Sequence, residues 1–185
     1  MASIAALKKI LGPILFRIQA FSFFRSIGRL LFGEVEIREA REGDVKGILC
    51  LLRDGGGTEY ILPSGNYSSD FIALKGKKII GFVLLVRRPE SEKPYTGYWL
   101  HGLFVGFRYR GFGVGEALTM KVISRAKEEK ASELFLSVKE NKIGAISLYS
   151  KLGFKRKIVP QIEELLEQEK IQFGRRSILM SKEIC

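Results

Sequence analysis

The stretch Arg110-Gly111-Phe112-Gly113-Val114-Gly115-Glu116 follows the apolar run Trp99–Val105 after a short spacer. Three glycines let a backbone curl and approach a ligand with no Cβ in the way. Strand, glycine turn and helix are the expected order. Val114, Gly115 and Glu116 then supply first-turn N–H donors at a helix N-terminus, where the helix dipole also favours negative charge. A pyrophosphate suits that arrangement, and Arg108 and Arg110 add cationic charge. The alternative is a tight strand-to-helix turn that binds nothing. A GxxxxGK[ST] loop is absent, and the six-residue G-x-G-x-x-G spacing is not met, so neither a triphosphate loop nor a dinucleotide fingerprint is present.

His101 is the only histidine and stands on the run that leads into the turn. An imidazole titrates near neutral pH, so it suits removal of a proton from an ammonium. The alternative is a half-buried strand histidine with its hydrogen bonds satisfied. Multi-histidine metal sites are excluded by the count. Cys50 and Cys185 are far apart and form no CxxC pair. No metal and no disulfide framework are therefore expected, and a reducing, cytoplasmic setting is the default. The net charge of +11 calls for an anionic ligand, anionic lipid or nucleic acid, and makes a polyamine less attractive as substrate. Nucleic acid is not expected, because no helix–turn–helix, zinc or RNP motif accompanies the charge.

The run Leu103-Phe104-Val105-x4-Arg110-Gly-Phe-Gly-Val-Gly-Glu-Ala-Leu118 resembles the acetyl-CoA motif of the GCN5-related N-acetyltransferase (GNAT) superfamily. Arg110, Gly113 and Gly115 match its Gln/Arg-x-x-Gly-x-Gly/Ala signature. Ala145-Ile-Ser-Leu-Tyr149-Ser-Lys-Leu-Gly153-Phe154 resembles the family's A-x-x-L-Y-x-x-x-G-F helix, and Glu36–Asp44 its first strand and turn. The resemblance covers about residues 34–183. It implies an acetyl-CoA-dependent transfer of an acetyl group to a primary amine by direct attack. It also implies that Leu103, Phe104 and Val105 offer backbone hydrogen bonds to the pantetheine arm, that Gly111 to Glu116 cradle the pyrophosphate, and that Tyr149 protonates the leaving thiolate. For Tyr149 the alternative is an ordinary buried helix tyrosine. Serotonin-acetylating members carry a histidine at the position of His101. Where the family usually has an asparagine this chain has Lys142, one step after Asn141. Either Lys142 reaches a CoA phosphate or Asn141 caps the helix. Ser137 replaces a glutamate base found in one branch, and Glu140 and Glu59 are weaker candidates for that role. A second reading of the resemblance is a CoA-binding regulatory or membrane-associated module without turnover.

The elements that must position these residues are readable from pattern. Val35–Glu39 alternates as a half-buried strand does, Asp44 is placed to cap a helix over Val45–Arg53, and Gly55-Gly56-Gly57 ends it. Strands follow at Phe71–Leu74, Lys78–Arg87 and Tyr98–Val105, then a helix over Gly113–Lys130, a strand at Leu134–Val138 and a helix over Ile143–Leu152. Strands at Phe154–Val159 and Arg176–Ser181 close the order around a charged helix at Gln161–Lys170. The expected fold is α/β (α+β): a mixed, mostly antiparallel sheet flanked by helices. The Arg53–Asp70 loop and the Gln161–Lys170 segment are expected to line the acceptor side, as the corresponding regions do in the family. Two parts are expected, a basic extension at 1–33 and a domain at 34–185. The extension carries Lys8, Lys9, Arg17, Arg25 and Arg29 among apolar residues, with no acidic residue before Glu34. Its charges leave no span of about 20 apolar residues for a membrane-crossing helix. It reads as a basic amphipathic helix, either a peripheral anchor on an anionic membrane or a docking helix for a partner, or else a helix packed on the domain or in a homodimer.

Overall fold

The structure, a computed structural model, describes residues 34–54 and 68–184. The 1–33 helix, the Gly55–Gly57 loop and Glu59 lie outside the described residues. The elements are β1 (Glu36–Glu39), α1 (Val45–Asp54), β2 (Ser68–Lys75), β3 (Lys78–Arg88), β4 (Gly97–Val105), α2 (Val114–Glu128), β5 (Glu133–Lys139), α3 (Ile143–Lys151), β6 (Lys155–Arg156), α4 (Pro160–Phe173) and β7 (Ser177–Glu183). The strands form one sheet in the order β1-β2-β3-β4-β5-β7-β6. Every pairing is antiparallel except β4 with β5. A parallel pair needs a crossover, and α2 supplies it.

Both faces of the sheet are covered, which explains why β2 and β3 read as nearly continuous apolar runs rather than alternating ones. On one face, Val114, Leu118, Val122 and Ala126 of α2 bury against Phe71, Val83, Leu85 and Leu100, in a core that extends to Leu136, Tyr149 and Phe154. On the other, Ile48, Leu51 and Leu52 of α1 pack on Ile72, Phe82 and Leu84. Ile162 and Leu166 of α4 pack beside them on Trp99 and Leu179.

The β3–β4 register slips once. Phe82 faces Phe104 but Leu84 faces His101, so two residues of β3 oppose three of β4. Gly102 takes φ +63° there, the usual device for an inserted residue. The bulge reverses which face each side chain takes. Leu100 lies in the α2 core, and beyond the bulge Leu103 and Val105 pack on that same core while Phe104 joins the α1 face.

Three local expectations are corrected. Asp44 does not cap α1 but closes a 3-10 turn, Glu42–Asp44, in front of it. Its carboxylate accepts the Arg41 N–H at 2.7 Å and both Arg38 guanidinium nitrogens at 2.7 and 2.9 Å. Those bonds to Arg38 hold its pKa below the ordinary carboxylate value. The strand expected over Phe154–Val159 shrinks to Lys155–Arg156, because Pro160 starts α4, where a missing N–H costs nothing. Finally, Asn141 does not cap α3: the N-cap residue is Lys142, with no side-chain cap bond.

Candidate active site

β4 and β5 touch over only two residue pairs, Tyr98–Leu134 and Trp99–Phe135. Beyond them β4 stays with β3 as far as Val105, and β5 stays with β7 as far as Lys139. The sheet therefore splits open just after Trp99. Along the split, the β4 edge from His101 onward presents backbone groups that no strand takes up among the described residues. An extended ligand arm fits such an edge as an added strand would.

The glycine turn sits at the end of that edge. A short 3-10 turn, Phe107–Tyr109, leads from β4 into it. Gly111 and Gly113 take φ +83° and +84°, a conformation with a steric cost for any residue bearing a Cβ. Gly113 is the N-cap of α2, and the first bond back into the helix runs from the Ala117 N–H to the Gly113 carbonyl at 2.9 Å. The preceding amides thus form the outward-facing donor set of a helix start. Arg110 holds the turn to the strand. Its Nε donates to the Val105 carbonyl at 2.9 Å, and its guanidinium lies over the rings of Phe104 and Phe107 at 5.7 and 5.9 Å. That bond occupies one of the two lone pairs of the Val105 oxygen. Phe112, beside it, is half-buried.

Gly115 is where the two sequence motifs meet. A Cβ built there would stand 3.5 Å from Leu148 of α3, 3.7 Å from Val105 and 3.9 Å from Leu103. The end of β4, the start of α2 and the middle of α3 converge on that one hydrogen-only position, and a larger side chain would fill the crevice between them. Glu116, next to it, is held by Lys151 of α3 at 3.0 and 3.1 Å. This pair keeps an acidic side chain engaged beside the helix start, and only the structure reveals it.

Tyr149 is buried at 6% exposure in the main core and meets Phe154 edge-on at 5.8 Å. Burial pushes its pKa up to about 12, so the phenol is protonated at neutral pH. Asn141 and Lys142 are exposed at the start of α3. Ser137 is exposed on β5. Glu140 lies 3.6 Å from the Arg176 guanidinium.

His101 lies on the opposite face of β4 from Leu100, two residues beyond Trp99 and at the mouth of the split. Its pKa is lowered below 6.5, first by desolvation and then by the Arg88 guanidinium, so at neutral pH it is uncharged and able to accept a proton. No local signal in the sequence marks the contacts of Arg88. It lies over the Tyr95 and Trp99 rings at 5.7 and 5.9 Å and bonds Glu92 at 3.1 Å. Gly102 was also overlooked, though a lone glycine between His101 and Leu103 in an apolar strand is a bulge signal. Among the described residues there is no cluster of three or more metal-ligating side chains, and no helix is long and apolar enough to cross a membrane.

Comparison with known proteins bears on this geometry. Residues 34–183 were expected to carry one family's pattern, and the model of the acetyltransferase (GNAT) family matches residues 35–154. A spermine/spermidine N(1)-acetyltransferase of Bacillus subtilis is 33% identical over 79 residues, 41% of this chain and 52% of that protein. N-acetyltransferase 8B of Rattus norvegicus is 30% identical over 91 residues, 48% of this chain and 40% of that protein. The chain thus spans about half the length, or less, of these curated relatives. The fold is shared with the ribosomal-protein-S18-alanine N-acetyltransferase of Escherichia coli, at a TM-score of 0.64 and 18% identity over 82% of this chain and 94% of that one. It is shared too with a Bacillus anthracis acetyltransferase solved with acetyl coenzyme A, at 0.60 and 16% over 82% and 98%. The family model covers more than half of the chain, from β1 through α3, and the chain therefore belongs to the GNAT acetyltransferase family.

Proposed function

We propose that this protein is an N-acetyltransferase that uses acetyl-CoA as co-substrate and acetylates a primary amine by direct attack. The observation that carries this reading is the convergence of the β4 edge, the α2 start and α3 at Gly115, beside the split of β4 from β5. The co-substrate fits these residues: an open strand edge suits the pantetheine arm, and a helix start with two left-handed glycines suits the pyrophosphate. Leu103, Phe104 and Val105 line the arm, Arg110 to Glu116 form the cradle, and Asn141 and Lys142 stand exposed at the start of α3, where Lys142 offers charge to a CoA phosphate.

In the chemistry, the amine nitrogen bonds to the acetyl carbonyl carbon and the carbon–sulfur bond breaks. His101 takes the amine proton, directly or through a water, which requires the neutral imidazole its surroundings favour. A backbone N–H at the splayed end of β4 polarises the carbonyl. The Tyr149 phenol gives its proton to the departing thiolate. The acceptor class is a primary amine, small or on a protein. Residues 1–33 act as a peripheral anchor on anionic lipid, through the basic and apolar residues that this segment combines.

The test is calorimetry with acetyl-CoA followed by thiol release with a panel of amines. Saturable binding with amine-dependent release supports the reading. Binding with no release on any amine would replace it with a CoA-binding module, and no binding would remove the co-substrate.

A further inference from the structure

Glu116 is the third residue of α2, counted from the N-cap Gly113, and the one acidic residue between Glu92 and Glu128. A carboxylate there suits the helix by itself, because the first turn carries the positive end of the dipole. A glutamate three places after the N-cap can also fold back and accept the N-cap N–H. Both tendencies act against a bound anion. The carboxylate repels a pyrophosphate, and folded back it takes up one of the amides that a pyrophosphate would use.

In the structure the carboxylate is drawn elsewhere. Lys151 Nζ donates to both Glu116 oxygens, at 3.1 Å to Oε1 and 3.0 Å to Oε2. The α2 N-terminus carries no side-chain cap bond. Lys151 ends α3, where a cation also suits the dipole of that helix. The two helices meet closely because Gly115 has no side chain: a Cβ there would stand 3.5 Å from Leu148. Leu148 and Lys151 are three apart on α3 and share a face. One turn of α3 thus delivers both contacts, Leu148 against Gly115 and Lys151 against Glu116.

The pair is poorly placed to hold the fold. Its side chains are 53% and 21% exposed, and ion pairs in contact with water contribute little to stability. Tyr149, two residues before Lys151, is already fixed by burial and by Phe154. The larger effect of the pair falls on the amide donors beside it.

We infer that Lys151 is a positioning residue for the co-substrate. It holds the Glu116 carboxylate away from the amides of Gly113, Val114 and Gly115 and offsets its charge, which keeps the helix start open to the pyrophosphate of acetyl-CoA. This rests on the acetyltransferase reading and adds to it a residue of α3 that acts through Glu116 rather than on the ligand.

The experiment is calorimetry of acetyl-CoA with full-length wild type, Lys151→Met, Lys151→Arg and the double variant Lys151→Met/Glu116→Ala. Lys151→Met keeps the stem of the side chain and frees the carboxylate, so affinity should fall roughly three- to tenfold, the scale on which a carboxylate interacts with a helix N-terminus. Lys151→Arg can still grip the carboxylate and should recover most of that loss. The double variant has no carboxylate left to fold back and should recover it as well. A lysine that touches the phosphate itself, or a pair that only clamps α3 to α2, predicts instead a double variant as weak as Lys151→Met. That result, or an unchanged affinity in Lys151→Met, would overturn the inference. Failure of the wild-type protein to bind acetyl-CoA would instead strike the acetyltransferase reading.

Discussion

At the residue scale, the two proton-handling groups are set apart by their surroundings. Tyr149 is enclosed by apolar neighbours, which disfavours the phenolate and raises its pKa to about 12. His101 sits by a cation and under partial desolvation, which disfavours the imidazolium. At neutral pH the phenol keeps its proton and the imidazole lacks one, which are the protonation states that the proposed mechanism requires of them. Tyr149→Phe should keep the fold and acetyl-CoA affinity, since only a hydroxyl is lost, and lower kcat by about 10²–10⁴-fold. An unchanged kcat in stopped-assay thiol release would remove Tyr149 as the acid. For His101 the sign is fixed by the direction of its shift. A base must be neutral, so kcat/KM should acquire an extra downward slope as pH falls through a value below 6.5, and His101→Gln should lose that slope. Persistence of the slope in the variant would assign it to another group. The identities of both residues were legible from sequence, Tyr149 by its spacing from Leu148, Gly153 and Phe154, and His101 by being the only imidazole. The contacts of Arg88 were not, because the aromatic rings at positions 95 and 99 approach it only once β3 and β4 are paired.

At the element scale, the bulge at Gly102 decides what β4 does. Before it, Trp99 and Leu100 serve the two cores in plain alternation. After it, Leu103 and Val105 turn toward α2 and α3 and frame the crevice at Gly115. A Cβ at Gly102 would stand 2.5 Å from Leu84 Cδ1 at a φ of +63°. Gly102→Ala should therefore lower stability by at least the roughly 1–2 kcal/mol of a left-handed non-glycine residue and weaken acetyl-CoA binding, both measurable by thermal denaturation and calorimetry. Gly113, at φ +84°, tests the cradle more directly: Gly113→Val should abolish acetyl-CoA binding, and wild-type affinity would exclude the turn as the pyrophosphate site. The far end of α2 is tied down by charge. Arg87 of β3 grips Glu129 through Nε and Nη2 and also donates to Ser69 at 2.8 Å. That grip lowers the Glu129 pKa. A carboxylate with a depressed folded pKa stabilises above its unfolded value and loses the contribution as pH falls through the folded one. Glu129→Gln should cost about 1 kcal/mol at pH 7, and the gap from wild type should close as pH drops below 4.5.

At the scale of the whole molecule, the net charge of +11 suits an anionic co-substrate and, in residues 1–33, an anionic surface. Removal of residues 1–33 should leave acetyl-CoA affinity unchanged and abolish sedimentation with anionic lipid vesicles. Full-length protein that ignores such vesicles would end the anchor proposal. The sheet order itself was only partly legible. Alternation and glycine punctuation located most strands within a few residues, because burial period and turn chemistry are local properties. The last strand before α4 is shorter than the sequence suggested, since Lys155–Val159 meets only two residues of β7 before Pro160 turns the chain into a helix.

By itself the sequence determined the elements, the glycine turn and the family to which the chain belongs. These depend on residue types at short spacing: φ-permissive glycines before a helix, and an apolar face every third or fourth residue. The tertiary structure alone decided where the sheet opens, which faces β4 presents beyond Gly102, and that Lys151 holds Glu116 and Arg87 holds Glu129. Each of those joins residues far apart in the chain, and contacts of that kind are set by strand register and by the helices packed on either face of the sheet.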